Sequence, residues 1–180
     1  MKKAFTMIEL VFILVVIGIL AVTIIPSTRT NPVQEAAVGL ISKIRYTQHL
    51  AMINDKYNEG ADWYKNRWQI RFSDNKYSIV SNSNGTFAKD PQNVTKELKD
   101  IALKGLNSIV LKGTECADKT IISFDHLGRP MVGTLSATTA PYTASGNAGE
   151  LLQTADCTIE LSNGEETVTI NINPETGYLE

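Results

Sequence analysis

The chain has 180 residues, two cysteines and a formal net charge of −2, which is enough for one domain and an accessory segment. It has no excess of positive charge to recruit nucleic acid, and its acidic balance is too mild to indicate a basic partner. Residues 10–25 carry no charge, whereas the composition after Pro26 is mixed and polar. This change of composition predicts the main boundary in the chain.

The N-terminal apolar segment, residues 5–25, contains 21 residues and follows Lys2 and Lys3. As a helix it would extend roughly 31 Å, which is enough to span a bilayer. The two lysines before it fit the tendency of basic residues to stay on the cytoplasmic side. A plain signal anchor and a cleaved secretory signal peptide are the alternatives for such a segment.

Glu9 lies inside this apolar segment, four residues after Phe5. A carboxylate there costs a few kcal/mol on insertion into a bilayer, so its presence predicts a function. If the chain is cut before Phe5, Glu9 of a neighbouring subunit can neutralise the new α-amine. One buried ion pair of this kind sets the register between helices rather than adding much stability. Glu9 therefore favours a filament subunit over either alternative.

The sequence KKAFTMIELVFILVVIGILAVTIIP resembles the prepilin signal and N-terminal helix of type IV pilins and type II secretion pseudopilins. In that family a membrane-embedded prepilin peptidase removes a short basic leader and N-methylates the new N-terminus. The resemblance implies that Ala4, where the family usually has Gly, is the last leader residue. It also implies that Phe5 is the methylated N-terminus and that Glu9 is the acidic assembly residue.

The resemblance further implies an α+β, type IV pilin-like fold, in which a long N-terminal helix packs on an antiparallel β-sheet domain. The predicted segments are a leader at 1–4, a transmembrane and assembly helix at 5–25, an amphipathic continuation of that helix at 26–60, and a periplasmic β-rich domain at 61–180. The implied partners are other pilins or pseudopilins, prepilin peptidase, the inner-membrane assembly platform and membrane lipid. We expect no enzymatic activity, no cofactor and no metal, and a location in the bacterial inner membrane.

Gly18 and Pro26 fall where this family commonly has residues that soften the helix. Gly18 would allow neighbouring helices to approach closely. Pro26 removes one backbone donor and can kink a helix, which would suit a subunit that leaves the bilayer and repacks in a filament. The alternative is that Pro26 only marks the exit from the membrane.

Cys116 and Cys157 both lie beyond the apolar segment. If that segment sends the rest of the chain out of the cytoplasm, the two cysteines reach an oxidising compartment and are expected to pair. The alternative is two free buried thiols. A metal site is not expected, because it would need further ligands near the two cysteines.

Periodicity predicts the remaining elements. Asn31 and Pro32 begin a second helical stretch, in which an apolar stripe runs to about Ile53. The predicted strands are 67–72 and 77–80, joined by a turn at 73–76, then 109–111 and 121–124, and a C-terminal hairpin of 157–161 and 167–172. We predict loops at 81–96 and 133–150 and a short helix or turn at 97–106.

Two short motifs resemble the H-type minor pseudopilins and related minor pilins. Phe124, Gly128 and Arg129 match an F-x-x-x-G-R turn late in the sheet, and residues 176–177 match a Thr-Gly pair near the C-terminus. These two matches predict a minor filament subunit.

The second hypothesis is a minor pilin that binds DNA or another surface ligand. It requires an exposed basic surface, for which Arg67, Arg71 and Lys76 are the local candidates. A membrane-anchored enzyme is the third hypothesis, but His49 and His126 belong to no recognisable catalytic motif.

Overall fold

The computed structural model describes residues 6–24, 31–54, 66–81, 86–117, 119–131 and 155–180. These residues belong to two units, Met1–Asn31 and Pro32–Glu180. The described elements are α-helices and antiparallel β-sheets, so the predicted α+β class is confirmed.

Within residues 6–24 of the first unit, helix α1 runs from Met7 to Ile24. Thr6 precedes the helix, and its backbone carbonyl accepts hydrogen bonds from the N–H groups of Glu9 (3.1 Å) and Leu10 (3.2 Å). Among the helices within the described ranges, none combines the length and apolar character needed to cross a membrane.

The second unit begins with helix α2, Pro32–Ile53. It begins at Pro32, the predicted first helical residue, and ends at Ile53, where the apolar stripe was expected to end. Asn31 and Asn54 lie within the predicted continuous helical segment 26–60 but are not helical, so the prediction is wrong at these two residues. The rest of the predicted helical segment 26–60 lies outside the described residues. The face that α2 buries carries Val33, Ala36, Ala37, Leu40, Ile44, Thr47 and Ala51. These positions recur at three- and four-residue steps, as expected of a helix that packs along one side.

Eleven strands occur within the described ranges. They are β1 Trp68–Ser73, β2 Lys76–Ser81, β3 Thr86–Phe87, β4 Lys89–Asp90, β5 Asn93–Glu97, β6 Ile101–Ala102, β7 Ser108–Lys112, β8 Ile121–Phe124, β9 Pro130–Met131, β10 Cys157–Ser162 and β11 Thr167–Ile172. The larger sheet has the order β3-β2-β1-β8-β9, with β6 also paired to β2. A second sheet has the order β11-β10-β7, and β4 pairs with β5.

Helix α2 packs against both larger sheets, since it contacts β1 and β8 of the first and β10 and β11 of the second. The core between the helix and the two sheets is apolar. Helix α2 and both sheets contribute fully buried side chains to it, among them Leu40, Ile70, Phe124, Ile159 and Ile170. Removal of this apolar surface from water is the main force that holds the helix to the sheets.

The predicted hairpins are confirmed. Strands β1 and β2 pair from Trp68↔Ser81 to Ser73↔Lys76, which leaves Asp74 and Asn75 as the two-residue turn. Strands β10 and β11 pair from Cys157↔Ile172 to Ser162↔Thr167. Strands β7 and β8 contain the residues predicted to be extended at 109–111 and 121–124.

One loop prediction is wrong. Residues 81–96 are not one loop, because β3, β4 and most of β5 lie within this stretch. All five residues of β5 are exposed, so the strand has no alternation of apolar and polar residues to reveal it. Of the short helix or turn predicted at 97–106, the structure has the turn, at 104–105, and it also places β6 in this stretch. The predicted loop at 133–150 lies outside the described residues.

The predicted disulfide is present between Cys116 and Cys157, whose Cα atoms are 5.5 Å apart. It joins the turn after β7 to the first residue of β10. Cys157 is fully buried and Cys116 nearly so, and the bond therefore forms part of the core.

Candidate functional site

The surface of α1 is the most unusual feature of the first unit. Every described side chain from Thr6 to Ala21 is exposed. Twelve of these are large and hydrophobic: Met7, Ile8, Leu10, Val11, Phe12, Ile13, Leu14, Val15, Val16, Ile17, Ile19 and Leu20. A helix that is apolar on all sides is normally buried in a large protein, in a membrane or among other helices. On soluble monomers, a large continuous apolar surface marks an interaction site.

Glu9 is the acidic residue in the first turn of α1. Its backbone N–H approaches the Thr6 hydroxyl at 3.4 Å as well as the Thr6 carbonyl. Thr6 and Glu9 have the T-x-x-E spacing of a capping box, in which the first residue accepts from the N–H three residues later. A negative charge in this turn is also favoured by the helix dipole. The sequence reasoning missed this local role of Thr6, although the spacing alone indicates it.

Of the other site residues predicted for the first unit, Gly18 lies within the described residues. Gly18 lies within α1, and a Cβ atom added there would have nothing within 4 Å. Within the first unit, the surface around Gly18 is therefore open. Ala4, Phe5 and Pro26 lie outside the described residues.

In the second unit, the residues of the F-x-x-x-G-R motif surround the turn from β8 to β9. Phe124 is completely buried. Asp125, also completely buried, accepts from the backbone N–H groups of Leu127 (3.0 Å) and Arg129 (2.8 Å). Its second carboxylate oxygen accepts from the Arg129 guanidinium at 2.7 Å through both Nε and Nη2. A buried carboxylate needs such charge-assisted partners, so Arg129 serves to satisfy Asp125.

Gly128 completes this turn with φ of +78°, a left-handed backbone conformation that glycine adopts without strain. A Cβ atom at Gly128 would lie 3.2 Å from the sulfur of Met52, near the end of α2. The backbone conformation therefore favours glycine at this position of the motif, and the flexible Met52 side chain of α2 lies against it.

Gln48 of α2 joins the F-x-x-x-G-R motif to the Thr-Gly pair near the C-terminus. Its side-chain nitrogen donates to the carbonyl of Gly128 at 3.2 Å and to the carbonyl of Gly177 at 2.9 Å. Gly177 has φ of +67°, and a Cβ atom there would lie 2.5 Å from that nitrogen. Helix α2, the β8–β9 turn and the C-terminal turn thus meet at one side-chain amide. Sequence reasoning found both glycines but gave no sign of Gln48.

A second polar contact ties α2 to the β4–β5 hairpin. The Lys43 ammonium lies 3.5 Å from a carboxylate oxygen of Asp90, and the Tyr46 hydroxyl donates to the Lys89 carbonyl at 2.9 Å. The pKa of Asp90 is lowered, first by the hydrogen bond from the Gln92 N–H and then by Lys43. Burial raises the pKa of Tyr77 to about 12, and the charge of Asp90 adds to that increase.

The residues considered for catalysis or DNA binding do not converge. His49 is exposed on α2, and His126 lies in the β8–β9 turn. Within the described residues, no group of His, Cys, Asp and Glu side chains is arranged to hold a metal ion. Arg67 is only 3% exposed, so it cannot contribute to a basic surface with Arg71 and Lys76. This finding weakens the DNA-binding hypothesis.

Comparisons with protein-family models, with curated proteins and with solved structures found no match for this chain.

Proposed function

We propose that the chain is a structural subunit, of the minor kind, of a type II secretion pseudopilus or a type IV pilus. In this proposal the fold is type IV pilin-like, prepilin peptidase removes residues 1–4, and Phe5 becomes the N-methylated terminus. Residues 5–25 anchor the subunit in the inner membrane and later pack among the same helices of neighbouring subunits. The second unit lies in the periplasm.

The observation that carries the proposal is the surface of α1. Twelve large hydrophobic side chains are exposed around it, and a single carboxylate, Glu9, stands in its first turn. Lipid covers such a helix before assembly, and other apolar helices cover it in a filament. Within the proposal, Glu9, the one charged side chain of residues 5–25, sets the register between neighbours.

Mass spectrometry of the chain purified from bacterial membranes tests the processing step. The expected species lacks residues 1–4 and begins with a methylated Phe5. Extraction of membranes with alkaline carbonate tests the anchor, since the processed chain should stay in the pellet. A protein that keeps Met1, or one cut near Ala21, would overturn the proposal.

Substitution of Glu9 by Gln tests the assembly step in cells that contain the filament machinery. We expect Glu9→Gln to abolish sheared filaments on immunoblots while the processed subunit still accumulates in the membrane. Glu35 supplies the matched control, because it is an exposed carboxylate in the first turn of α2. Filaments should form normally with Glu35→Gln, and equal losses in both variants would contradict the role of Glu9.

A further inference from the structure

We propose that a cavity on the larger sheet binds a small organic anion, a carboxylate or phosphate carried on a compact apolar body. The cavity has a volume of about 310 Å³ and opens between β1, β2 and β8. Volumes of this size suit ligands at the lower end of the range for small-molecule sites. The inference goes beyond the proposed function and does not depend on filament assembly.

The charges around the cavity favour an anion. Arg71 of β1 and Lys76 of β2 both line it, and Asp100 is the carboxylate on its wall. A third cation, Lys99, stands 5.1 Å from the centre of the Phe87 ring, which also lines the cavity. Even without Arg71, Lys76 and Lys99 outnumber Asp100, the carboxylate among the lining residues. The Ser78 hydroxyl lies 3.3 Å from the Asp100 carboxylate and accepts a hydrogen bond from the Asp100 backbone N–H at 2.9 Å.

The side chain of Gln69 holds the Arg71 guanidinium in place. With the amide oxygen of Gln69 turned toward it, that oxygen accepts from Nη2 (2.5 Å) and Nε (2.7 Å) of Arg71. Gln69 is completely buried, although it lies on the face of β1 that alternation predicts to be polar. Arg71 is half-buried, and partial loss of water lowers the pKa of its guanidinium while leaving it charged. A positioned guanidinium at the edge of a cavity suits the planar recognition of a carboxylate or phosphate.

Two apolar side chains on the cavity wall define the body of the ligand. Phe87 and Ile121, which are both partly exposed, line the cavity beside the charged groups. An aromatic or short aliphatic body would cover these side chains, whereas a bare inorganic ion would leave them in contact with water. Cationic and apolar side chains together on the cavity wall favour an anion with an apolar part over inorganic phosphate.

Titration of the full chain in non-ionic detergent micelles, at constant ionic strength, tests the site. The probes are phenyl phosphate, benzoate and inorganic phosphate, and the readout is the amide NMR shifts of Arg71, Ser78 and Ile121. We expect saturable shifts with phenyl phosphate or benzoate, and weaker binding of inorganic phosphate. The stronger of the two aromatic probes identifies the preferred head group. Equal affinity for phenyl phosphate and inorganic phosphate would overturn the proposal, as would shifts that do not saturate.

Variants separate a built site from general charge. Lys76→Gln should weaken binding, and Arg71→Gln should weaken it by roughly tenfold or more, since charge-assisted hydrogen bonds are lost. Lys112 is the matched control, because it is an exposed cation paired with Glu160 at 2.6 Å and does not line the cavity. Affinity should be unchanged in Lys112→Gln. If Lys112→Gln weakens binding as much as Lys76→Gln, the cavity is not the site. Lys76 is exposed, so its variant remains informative even if Arg71→Gln fails to fold.

Discussion

The side-chain amide of Gln48 donates to the backbone carbonyl of Gly177 at 2.9 Å, across 129 positions of sequence. The same nitrogen reaches the Gly128 carbonyl at 3.2 Å. Two turns that are distant in the chain are therefore fixed to one residue of α2. Because the C-terminal turn also leads to the Ile172↔Leu179 bridge, the contact helps to place the C-terminal residues against β11.

Replacement of Gln48 by Ala should destabilise the second unit by about 1–3 kcal/mol, since two carbonyls would lose a partly buried donor. Arg45 offers a control on the same helix, because it is exposed. Chemical denaturation in detergent, followed by tryptophan fluorescence, measures both variants. If Gln48→Ala unfolds at the same denaturant concentration as Arg45→Ala, the Gln48 contacts contribute nothing to stability.

The environment of Gly177 leads to a second prediction, for which Gly164 is a matched control. Both glycines have positive φ, +67° at Gly177 and +92° at Gly164. A Cβ atom would lie 2.5 Å from the Gln48 nitrogen at Gly177, but no closer than 3.5 Å to any atom at Gly164. Gly164→Ala should cost roughly 1–2 kcal/mol through the backbone alone. Gly177→Ala should cost about 1–3 kcal/mol more through steric conflict.

The comparison is made by thermal or chemical denaturation of both variants under one condition. Equal destabilisation would show that the C-terminal turn moves away from Gln48 without cost. In that case the close approach at Gly177 would not explain why glycine occupies this position.

Local patterns made much of the fold predictable. Asn31-Pro32 marks the start of α2 correctly, because a proline suits the first position of a helix. The turn of Asp74 and Asn75 is equally local, since short polar residues adopt the left-handed conformation at little cost. The disulfide followed from the inferred compartment and from the presence of only two cysteines.

Contacts that depend on the tertiary structure could not be predicted. The β4–β5 hairpin is fully exposed along β5 and carries no periodic signal. Gln48 lies among other polar residues of α2, and only folding brings it to Gly128 and Gly177. Gln69 is buried although alternation places it on the polar face of β1. The partners of Gln48 are 80 and 129 positions away, which no local pattern can show, whereas the strands of the β4–β5 hairpin are close in sequence but lack alternation.

Removal of the disulfide should destabilise the second unit by about 3–4 kcal/mol, because the bond closes a loop across 41 positions and restricts the unfolded chain. The double variant Cys116→Ser, Cys157→Ser is compared with the wild type by chemical denaturation, with and without a reducing agent. The reductant should lower the stability of the wild type to that of the double variant and leave the variant unaffected. A wild type insensitive to complete reduction would contradict the prediction.

The buried phenol of Tyr77 predicts a loss of stability at alkaline pH. Tyr77 is 3% exposed, and burial raises its pKa from 10.0 to about 12, with a smaller contribution from the charge of Asp90. Between these two values the unfolded chain releases the phenolic proton while the folded chain keeps it. The contribution of Tyr77 to stability is thus complete below pH 10 and is lost as the pH rises through the folded pKa, by at most about 1.4 kcal/mol per pH unit.

Because lysines also titrate in this range, the prediction concerns the difference between the wild type and Tyr77→Phe. Denaturation at intervals from pH 9 to pH 12 should show a smaller alkaline loss of stability in Tyr77→Phe. The exposed Tyr178 provides the control, since Tyr178→Phe should lose stability as the wild type does. Parallel pH profiles for the wild type and Tyr77→Phe would mean that the phenol of Tyr77 titrates alike in the folded and unfolded chain, and that its burial does not shift its pKa.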